Sequence, residues 1–207
     1  MSIDADGAKA SMENTDKSLI DAHCRGDRKA FAELVRRYGD SLLGYLTRMT
    51  GNREQAEDLF QETFRRVHEK ADTFRGSRIK SWLFAIATNM AIDGMRKNKR
   101  LNVVSLNQKV DCNDEESQEF STVAVADNSY EPSQKAIVAE QKEQVRQAIE
   151  MLPARQRATL VLAYYQQLSY PEVAQILGCS VGTVKTQMYR ALKSLAQRLP
   201  DISGVAK

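Results

Sequence analysis

Residues 168–199 read LSYPEVAQILGCSVGTVKTQMYRALKSLAQRL, and this stretch decides the fold. Ser169 followed by Glu172 three positions later is a capping box, which predicts the start of a short helix. Gly178 then lets the chain reverse, and Ser180 can cap a longer helix. A short helix, a glycine turn and a longer basic helix together predict a helix-turn-helix.

The longer of these two helices is predicted to have one apolar and one polar face. The apolar face is expected to pack through Val184, Met188, Ala191, Leu192, Leu195 and Leu199. The polar face carries Lys185, Thr186, Gln187, Tyr189 and Arg190. Such side chains can donate to and accept from base edges and phosphates in a major groove. Helical hairpins with a solvated basic face are also common in bundles, so this segment alone leaves that interpretation open.

Working outward, residues 16–100 show apolar side chains at helical spacing, interrupted at Gly51-Asn52 and at Gly76-Ser77. Asp16 is expected to cap the first helix, and Asn52 with Gln55 resembles a capping box for a later one. A further helix starts near Ile79 and leads into a basic cluster; we expect it to end near Asn89.

Residues 101–134 lack a sustained helical stripe and are polar and acidic. So long a gap is unusual inside one compact domain, so we interpret it as a linker. Helical patterns resume over 135–152 and 154–166, separated by Pro153. The sequence therefore predicts an all-α fold with two small helical domains, 16–100 and 135–199, joined by a flexible linker. Residues 1–15 show no periodicity and are expected to be disordered.

Composition narrows the class of protein. The 207 residues are 42% hydrophobic and 28% charged, with a net charge of +3, which is ordinary for a soluble globular chain. The three cysteines are far apart, which argues against a disulfide framework and fits a reducing cytoplasm. No apolar run approaches a membrane span, and the polar N-terminus is unlike a signal peptide. We expect a cytoplasmic protein.

An enzyme is one alternative class. His23 and His68 are the only histidines, and neither belongs to a recognisable set of metal ligands. We expect both to be surface or packing residues, and we expect no catalytic residue, no metal and no cofactor. A free-standing helix-turn-helix regulator that never binds a polymerase is the second alternative.

Residues 78–100, RIKSWLFAIATNMAIDGMRKNKR, form the other notable segment. In one interpretation Trp82 is a core residue and the cations are a solvated helix end favoured by the helix dipole. In the other, the segment holds single-stranded DNA, with polar groups reading an unstacked base and cations holding phosphates. The physical chemistry of the sequence does not choose between them.

Two blocks of the chain resemble the extracytoplasmic-function (group IV) sigma factors of bacterial RNA polymerase. Residues 58–76, DLFQETFRRVHEKADTFRG, with residues 81–100 resemble their region two. Residues 152–195, LPARQRATLVLAYYQQLSYPEVAQILGCSVGTVKTQMYRALKSL, resemble their region four. A lone helix-turn-helix is weakly specific, whereas both blocks in this order and at this separation are highly specific. The free-standing regulator leaves residues 58–100 unexplained.

This resemblance implies a protein that binds core RNA polymerase, directs it to specific promoters and promotes DNA melting, without being an enzyme. Polymerase contacts on the beta-prime coiled coil are implied for Asp58, Gln61 and Glu62. The beta flap, promoter DNA and an anti-sigma factor, which could hold the protein at the inner membrane, are the other implied partners. No small-molecule substrate is implied.

The resemblance also implies two sets of DNA contacts. Contacts to the minus-ten element are implied for Trp82, Asn89, Arg96, Lys97, Lys99 and Arg100, with Asn89 in a loop that captures a flipped base. Contacts to the minus-thirty-five element are implied for Lys185, Thr186, Tyr189 and Arg190. Gln187 stands where many members of the family have a basic residue, so it departs from the family pattern.

Overall fold

The computed structural model describes residues 16–76, 78–105 and 132–199, and the regular secondary structure within these ranges is entirely helical. The first described helix, α1, covers 16–24. The others are α2 (Arg28–Thr50), α3 (Arg53–Glu69), α4 (Ile79–Ser105), α5 (Pro132–Glu150), α6 (Ala154–Leu160), α7 (Tyr170–Leu177) and α8 (Val181–Arg198). The expectations for residues 1–15 and for the central acidic part of the linker lie outside the described residues.

The helix boundaries of the first half follow the local sequence rules. The Asp27 carboxylate accepts from the Lys29 amide at 2.8 Å and caps α2, which ends at Gly51 with φ of 73°. The Asn52 side chain accepts from the Gln55 amide at 2.9 Å, which confirms the predicted cap of α3. The buried face of α2 includes Leu34, Tyr38, Leu42, Leu46 and Met49, which follow the helical spacing of apolar residues in the sequence.

Asp16, predicted as a helix cap, instead makes its side-chain hydrogen bonds to a neighbouring helix. It lies in α1 and is 3% exposed. Its carboxylate accepts from Arg37 Nη1 at 2.6 Å and from the Tyr38 hydroxyl, both on α2. A buried carboxylate needs such partners, so Asp16 ties α1 to α2.

The predicted end of the fourth helix near Asn89 is wrong, because α4 continues without interruption to Ser105. Residues 90–100 contain good helix formers, and the single Gly94 costs only about 1 kcal/mol relative to alanine. Helical structure reaches into both ends of the predicted linker. Residues 101–105 extend α4, and α5 starts at Pro132, a residue suited to the first helical turn.

The second half contains the predicted helix-turn-helix. Both bonds of the capping box between Ser169 and Glu172 are present, and Gly178 adopts a left-handed conformation with φ of 60°. The Ser180 hydroxyl accepts from the Thr183 amide at 3.1 Å and caps α8. The predicted burial of Leu192 is wrong, since its side chain is 52% exposed. It lies beside the buried stripe of α8 rather than on it.

The two halves of the chain pack against each other. One cluster of buried apolar residues includes Leu42 and Phe84 from the first half and Leu162 and Val173 from the second. The main contact joins α4 to α7, and α2 contacts α5 and the π-helical turn Val161–Tyr165. Across the described helices, none is long and apolar enough to cross a membrane.

Candidate nucleic-acid and polymerase interface

The polar face of α8 is available for a partner. Val184, Met188 and Ala191 are buried and fix the orientation of the helix. Lys185, Thr186, Tyr189 and Arg190 are all exposed on the other side, and Gln187 is half-buried. The structure therefore brings the four residues implied for the minus-thirty-five element onto one free face.

This face combines donors with an aromatic ring. Tyr189 is 66% exposed, and the Thr186 hydroxyl donates to the Gly182 carbonyl at 3.0 Å. Neither Lys185 nor Arg190 takes part in a salt bridge within the described part of the chain. Their charges are available for phosphate oxygens, and a guanidinium can also make a bidentate contact with guanine.

The outer face of α3 holds the three residues implied for polymerase binding. Asp58 and Gln61 are exposed, whereas Glu62 is half-buried between two arginines. The Glu62 carboxylate accepts from Arg65 Nε at 2.6 Å and from Arg66 Nε at 2.9 Å. These hydrogen bonds, from Arg65 first, lower the pKa of Glu62 to about 2. The charge of Glu62 is therefore balanced locally, and Asp58 is the more available of the two carboxylates.

On α4, three residues implied for the minus-ten element share one side of the helix. Trp82, Asn89 and Arg96 are spaced by seven residues, and a heptad spacing drifts by only about 20° around a helix. Each step of seven residues covers about 10.5 Å along the axis. Asn89 and Arg96 are exposed, and Trp82 is half-buried. Asn89 thus lies in a helix rather than in the implied loop.

The basic end of α4 continues this side of the helix. Lys97 is exposed, and Arg96 lies 3.6 Å from the Asp93 carboxylate in a solvent-exposed pair. Such an exposed pair contributes little and is easily exchanged for a phosphate. Lys99 and Arg100 fall in the helical backbone of α4, but their side chains lie outside the described residues.

A cavity of about 500 Å³ lies beside Trp82, where the chain passes from α3 to α4. Phe74, Arg75, Arg78 and Trp82 line it, and Gln175 of α7 contributes from the second half. The Phe74 and Trp82 rings lie with centroids 4.9 Å apart. Aromatic rings beside guanidinium groups are the chemistry that proteins use to hold unstacked bases.

The sequence interpretation did not assign Phe74, Arg75 or Arg78 to a site. A signal was present in the sequence, because these three residues lie in the short segment that leads into α4 and Trp82. Only the turn between the helices brings Phe74 back against Trp82.

The two histidines lie close together, with His23 on α1 and His68 on α3. His68 Nδ1 and His23 Nε2 are 3.0 Å apart, and the His23 ring lies 4.6 Å from the Phe31 ring. Burial, and then the neighbouring His68, lower the pKa of His23. The structure finds no group of three or more potential metal ligands among the residues it describes. The contact between the two histidines joins α1 to α3.

Comparisons with known proteins show which family the chain resembles. Residues 34–101 match the family model described as sigma-70 region 2, and residues 142–195 match that described as sigma-70, region 4. The chain is 34% identical over 192 residues to the ECF RNA polymerase sigma factor SigW of Bacillus subtilis (strain 168), covering 92% of this chain and 100% of that protein. It is 31% identical over 191 residues to the RNA polymerase sigma-H factor of Pseudomonas aeruginosa, covering 92% and 96%.

Two solved structures share the fold. The sigma factor RpoE of Bartonella quintana, in complex with the anti-sigma factor NepR, matches with a TM-score of 0.61 at 26% identity. That match covers 84% of this chain and 99% of RpoE. CnrH, in complex with the cytosolic domain of CnrY, matches with a TM-score of 0.63 at 23% identity, covering 91% and 99%.

Proposed function

We propose that this chain, which belongs to the extracytoplasmic-function sigma factors of RNA polymerase, uses separate surfaces to contact polymerase and promoter DNA. As a member of that family it directs RNA polymerase to promoters and acts in transcription initiation. Residues 16–100 act as region two and residues 135–199 as region four. The chain supplies contacts rather than chemistry of its own, so no catalytic residue is assigned.

The observation that carries this proposal is the presence of two different nucleic-acid surfaces on one chain. The exposed basic face of α8 fits the major groove of a duplex, which is the form of the minus-thirty-five element. The side of α4 marked by Trp82, Asn89 and Arg96 fits a single strand, with an aromatic-lined cavity at one end and cations at the other. A simple duplex-binding regulator needs only the first surface.

Promoter melting is assigned to the α4 side. Opening a duplex costs a few kcal/mol for each extruded base, which must be offset by contacts made only to that base. The Phe74 and Trp82 rings and the neighbouring guanidinium groups supply such contacts. Asn89 offers two donors and an acceptor farther along the strand, and the basic end of α4 attracts its phosphates.

The decisive experiment is transcription in vitro with core polymerase on a library of duplex promoters, repeated on templates with a pre-melted bubble. Asn89→Ala is expected to impair opening of duplex promoters far more than polymerase binding, as followed by permanganate footprinting. The bubble should restore most of the loss, because the unstacking is already done. Wild-type opening of duplex DNA by this variant would place strand reading elsewhere.

Polymerase docking is assigned to the outer face of α3. Asp58→Arg should weaken the complex with core polymerase, since like charges across an interface cost several kcal/mol. Asp40→Arg is the matched control, because Asp40 is an exposed carboxylate on α2 outside this face. Adding Glu62→Arg to Asp58→Arg should weaken binding further. This double variant also places its two new cations on the same helix as Arg65 and Arg66. Equal affinities of the Asp58 and Asp40 variants in a competition assay would refute the docking face.

Regulation by a second protein is also proposed. The solved structure of RpoE contains the anti-sigma factor NepR, and that of CnrH contains the cytosolic domain of CnrY. An inhibitor of the same kind is expected to cover both halves of this chain, and one anchored in a membrane would hold the sigma factor there. Purification of the tagged chain from unstressed native cells should recover such a partner in stoichiometric amount.

A further inference from the structure

Two histidines from different helices meet at the surface of the first half. His68 Nδ1 of α3 and His23 Nε2 of α1 are 3.0 Å apart, although the two residues are separated by 45 positions in the chain. They are the only histidines of the protein, and their distance in the chain explains why the sequence shows no ligand spacing. At 3.0 Å, two imidazole nitrogens can share one proton, or they can bind one cation between them.

The separation of these nitrogens matches two adjacent positions around a transition-metal ion. Metal–nitrogen bonds of about 2.0–2.1 Å place two ligands about 2.9 Å apart at an angle of 90° and about 3.3 Å apart at a tetrahedral angle. The observed 3.0 Å lies between these values and closer to the first. Because the χ2 torsion of histidine is broad, both rings can turn their lone pairs toward a common point.

Contacts from α2 and from the preceding turn hold the imidazoles in place. The centre of the Phe31 ring lies 4.6 Å from that of His23 and 5.5 Å from that of His68. A backbone hydrogen bond at Asp27 also reaches His23. A metal-ligating histidine usually makes such a bond through its second ring nitrogen, because the bond fixes the ring and leaves the other nitrogen for the metal. The pair is therefore partly pre-organised without any ion.

The chemical state of His23 suits a metal ligand. Only a neutral imidazole can bind a metal ion. Burial, and then the neighbouring His68, lower the pKa of His23, so this ring is mainly neutral at pH 7. His23 is half-buried and His68 is exposed, so an ion and its water ligands can reach the two nitrogens from solvent.

We propose that His23 and His68 form a binding site for a divalent transition-metal ion of the nickel, copper or zinc group, with water completing the coordination. Two protein ligands are fewer than the four of a structural zinc site, and among the described residues no group of three or more potential ligands includes the pair. The site is therefore open and the ion exchangeable. Imidazole nitrogens in adjacent positions select Ni²⁺ or Cu²⁺ over Mg²⁺, which prefers oxygen ligands.

A bound ion links α1 to α3 on the helix that we assign to polymerase docking. His68 follows Gln61 by seven residues, so the two lie on similar sides of α3, about 10.5 Å apart along its axis. The ion also stabilises the folded chain, because only folding brings the two nitrogens together. The site depends on neither the DNA contacts nor the polymerase contacts proposed above.

Titration of the full chain with Ni²⁺, on protein prepared without a polyhistidine tag, tests the proposal. Ni²⁺ is the probe because, unlike Cu²⁺, it does not oxidise free thiols. We expect one equivalent to bind and to raise the midpoint of thermal unfolding by at least about 2 °C at saturation. Because Ni²⁺ is paramagnetic, it should broaden the ring-proton NMR signals of both histidines. Mg²⁺ at the same concentration should change neither quantity.

Amide variants separate metal binding from the hydrogen bond. His23→Gln and His68→Asn place an amide near the positions of Nε2 and Nδ1, so each variant can keep a hydrogen bond but loses a metal ligand. Each should weaken Ni²⁺ binding at least about tenfold, since even changes behind a metal ligand cost roughly 10–100-fold. Cys24→Ser is the matched control, because Cys24 is exposed beside His23 in the chain but is outside the proposed ligand pair. It should keep the wild-type affinity.

Two kinds of result would overturn the site. Ni²⁺ binding that persists in both amide variants, or that is lost in Cys24→Ser, would show that the ligands lie elsewhere. Histidine signals of the wild-type chain that stay unchanged in millimolar Ni²⁺ would show that the 3.0 Å contact is a hydrogen bond alone. If an amide variant does not fold, the NMR titration of the wild-type chain decides by itself.

Discussion

Arg157 offers the sharpest test of how the two halves hold together. It is 5% exposed and donates from Nη1 to the Met49 carbonyl of α2 at 2.5 Å. Nη2 donates to the Glu150 carbonyl and, at 3.5 Å, to the Leu152 carbonyl. Met49 lies in the last turn of α2, where a carbonyl has no partner within the helix. One side chain thus completes a helix end across the interface.

Arg157→Met removes these bonds while keeping most of the apolar stem. A hydrogen bond from a charged donor contributes about 1.5–3 kcal/mol, and unpaired buried carbonyls add to the loss. The loss is reduced because the buried charge is itself costly. Nε has no hydrogen-bond partner among the residues that the structure describes, and burial lowers the pKa of the guanidinium. We expect a net loss of about 2–4 kcal/mol in the free energy of unfolding.

Urea unfolding followed by circular dichroism measures this loss. Arg155→Met is the matched control, since Arg155 lies on the same helix but is exposed, and it should change stability by less than about 0.5 kcal/mol. Arg157→Lys should recover only part of the loss, because an ammonium lacks the planar fork that reaches several carbonyls. If the two methionine variants were equally stable, Arg157 would not join the halves in solution.

Three further results are expected. Gly178→Ala should destabilise the helix-turn-helix by about 1 kcal/mol, because φ is 60° at this position. Gly182→Ala inside α8 should leave the stability unchanged or raise it. Thermal unfolding measures both effects. Because the pKa of His23 is lowered in the folded protein, the free energy of unfolding should be highest above pH 6.5 and fall as the pH drops below that value. An NMR titration of the ring and unfolding measurements at pH 7.5 and 5.5 would check this. Arg190→Ala should cost about 1–3 kcal/mol and relax base preference in minus-thirty-five duplex binding, whereas Lys185→Ala should weaken all sequences evenly and reduce the salt dependence.

Local rules were enough to predict most of the helices. Caps such as Asn52, Ser169 and Ser180 depend on contacts within three residues, so the sequence alone reveals them. The end of α4 was mispredicted because the sequence near Asn89 contains no local signal that ends a helix. Nothing near Asn89 stops a helix, and the change from an apolar stripe to a basic run alters what the helix contacts rather than whether it forms.

The sequence contains no local pattern that predicts the contacts between the two halves. Ser41 and Gln166 are separated by 125 positions, and Met49 and Arg157 by 108. A polar residue that becomes buried against a distant carbonyl resembles any other polar surface residue in sequence. The cavity was missed for a similar reason, since its walls come from a turn, from α4 and from α7. Periodicity identifies which face of a helix is buried, but not which distant segment buries it.

The helical position of Asn89 changes what its side chain can do in promoter opening. A residue in a loop can wrap around an extruded base, whereas a residue on a helix reaches sideways from a rigid axis. Asn89 also lies about 10.5 Å along that axis from Trp82, which is about three nucleotides at the stacked spacing of roughly 3.4 Å. A single base therefore cannot contact both Trp82 and Asn89. Under the proposed function, the cavity beside Trp82 holds one extruded base, and Asn89 contacts a different position of the same strand. We therefore expect changes at Phe74 and at Asn89 to affect different promoter bases.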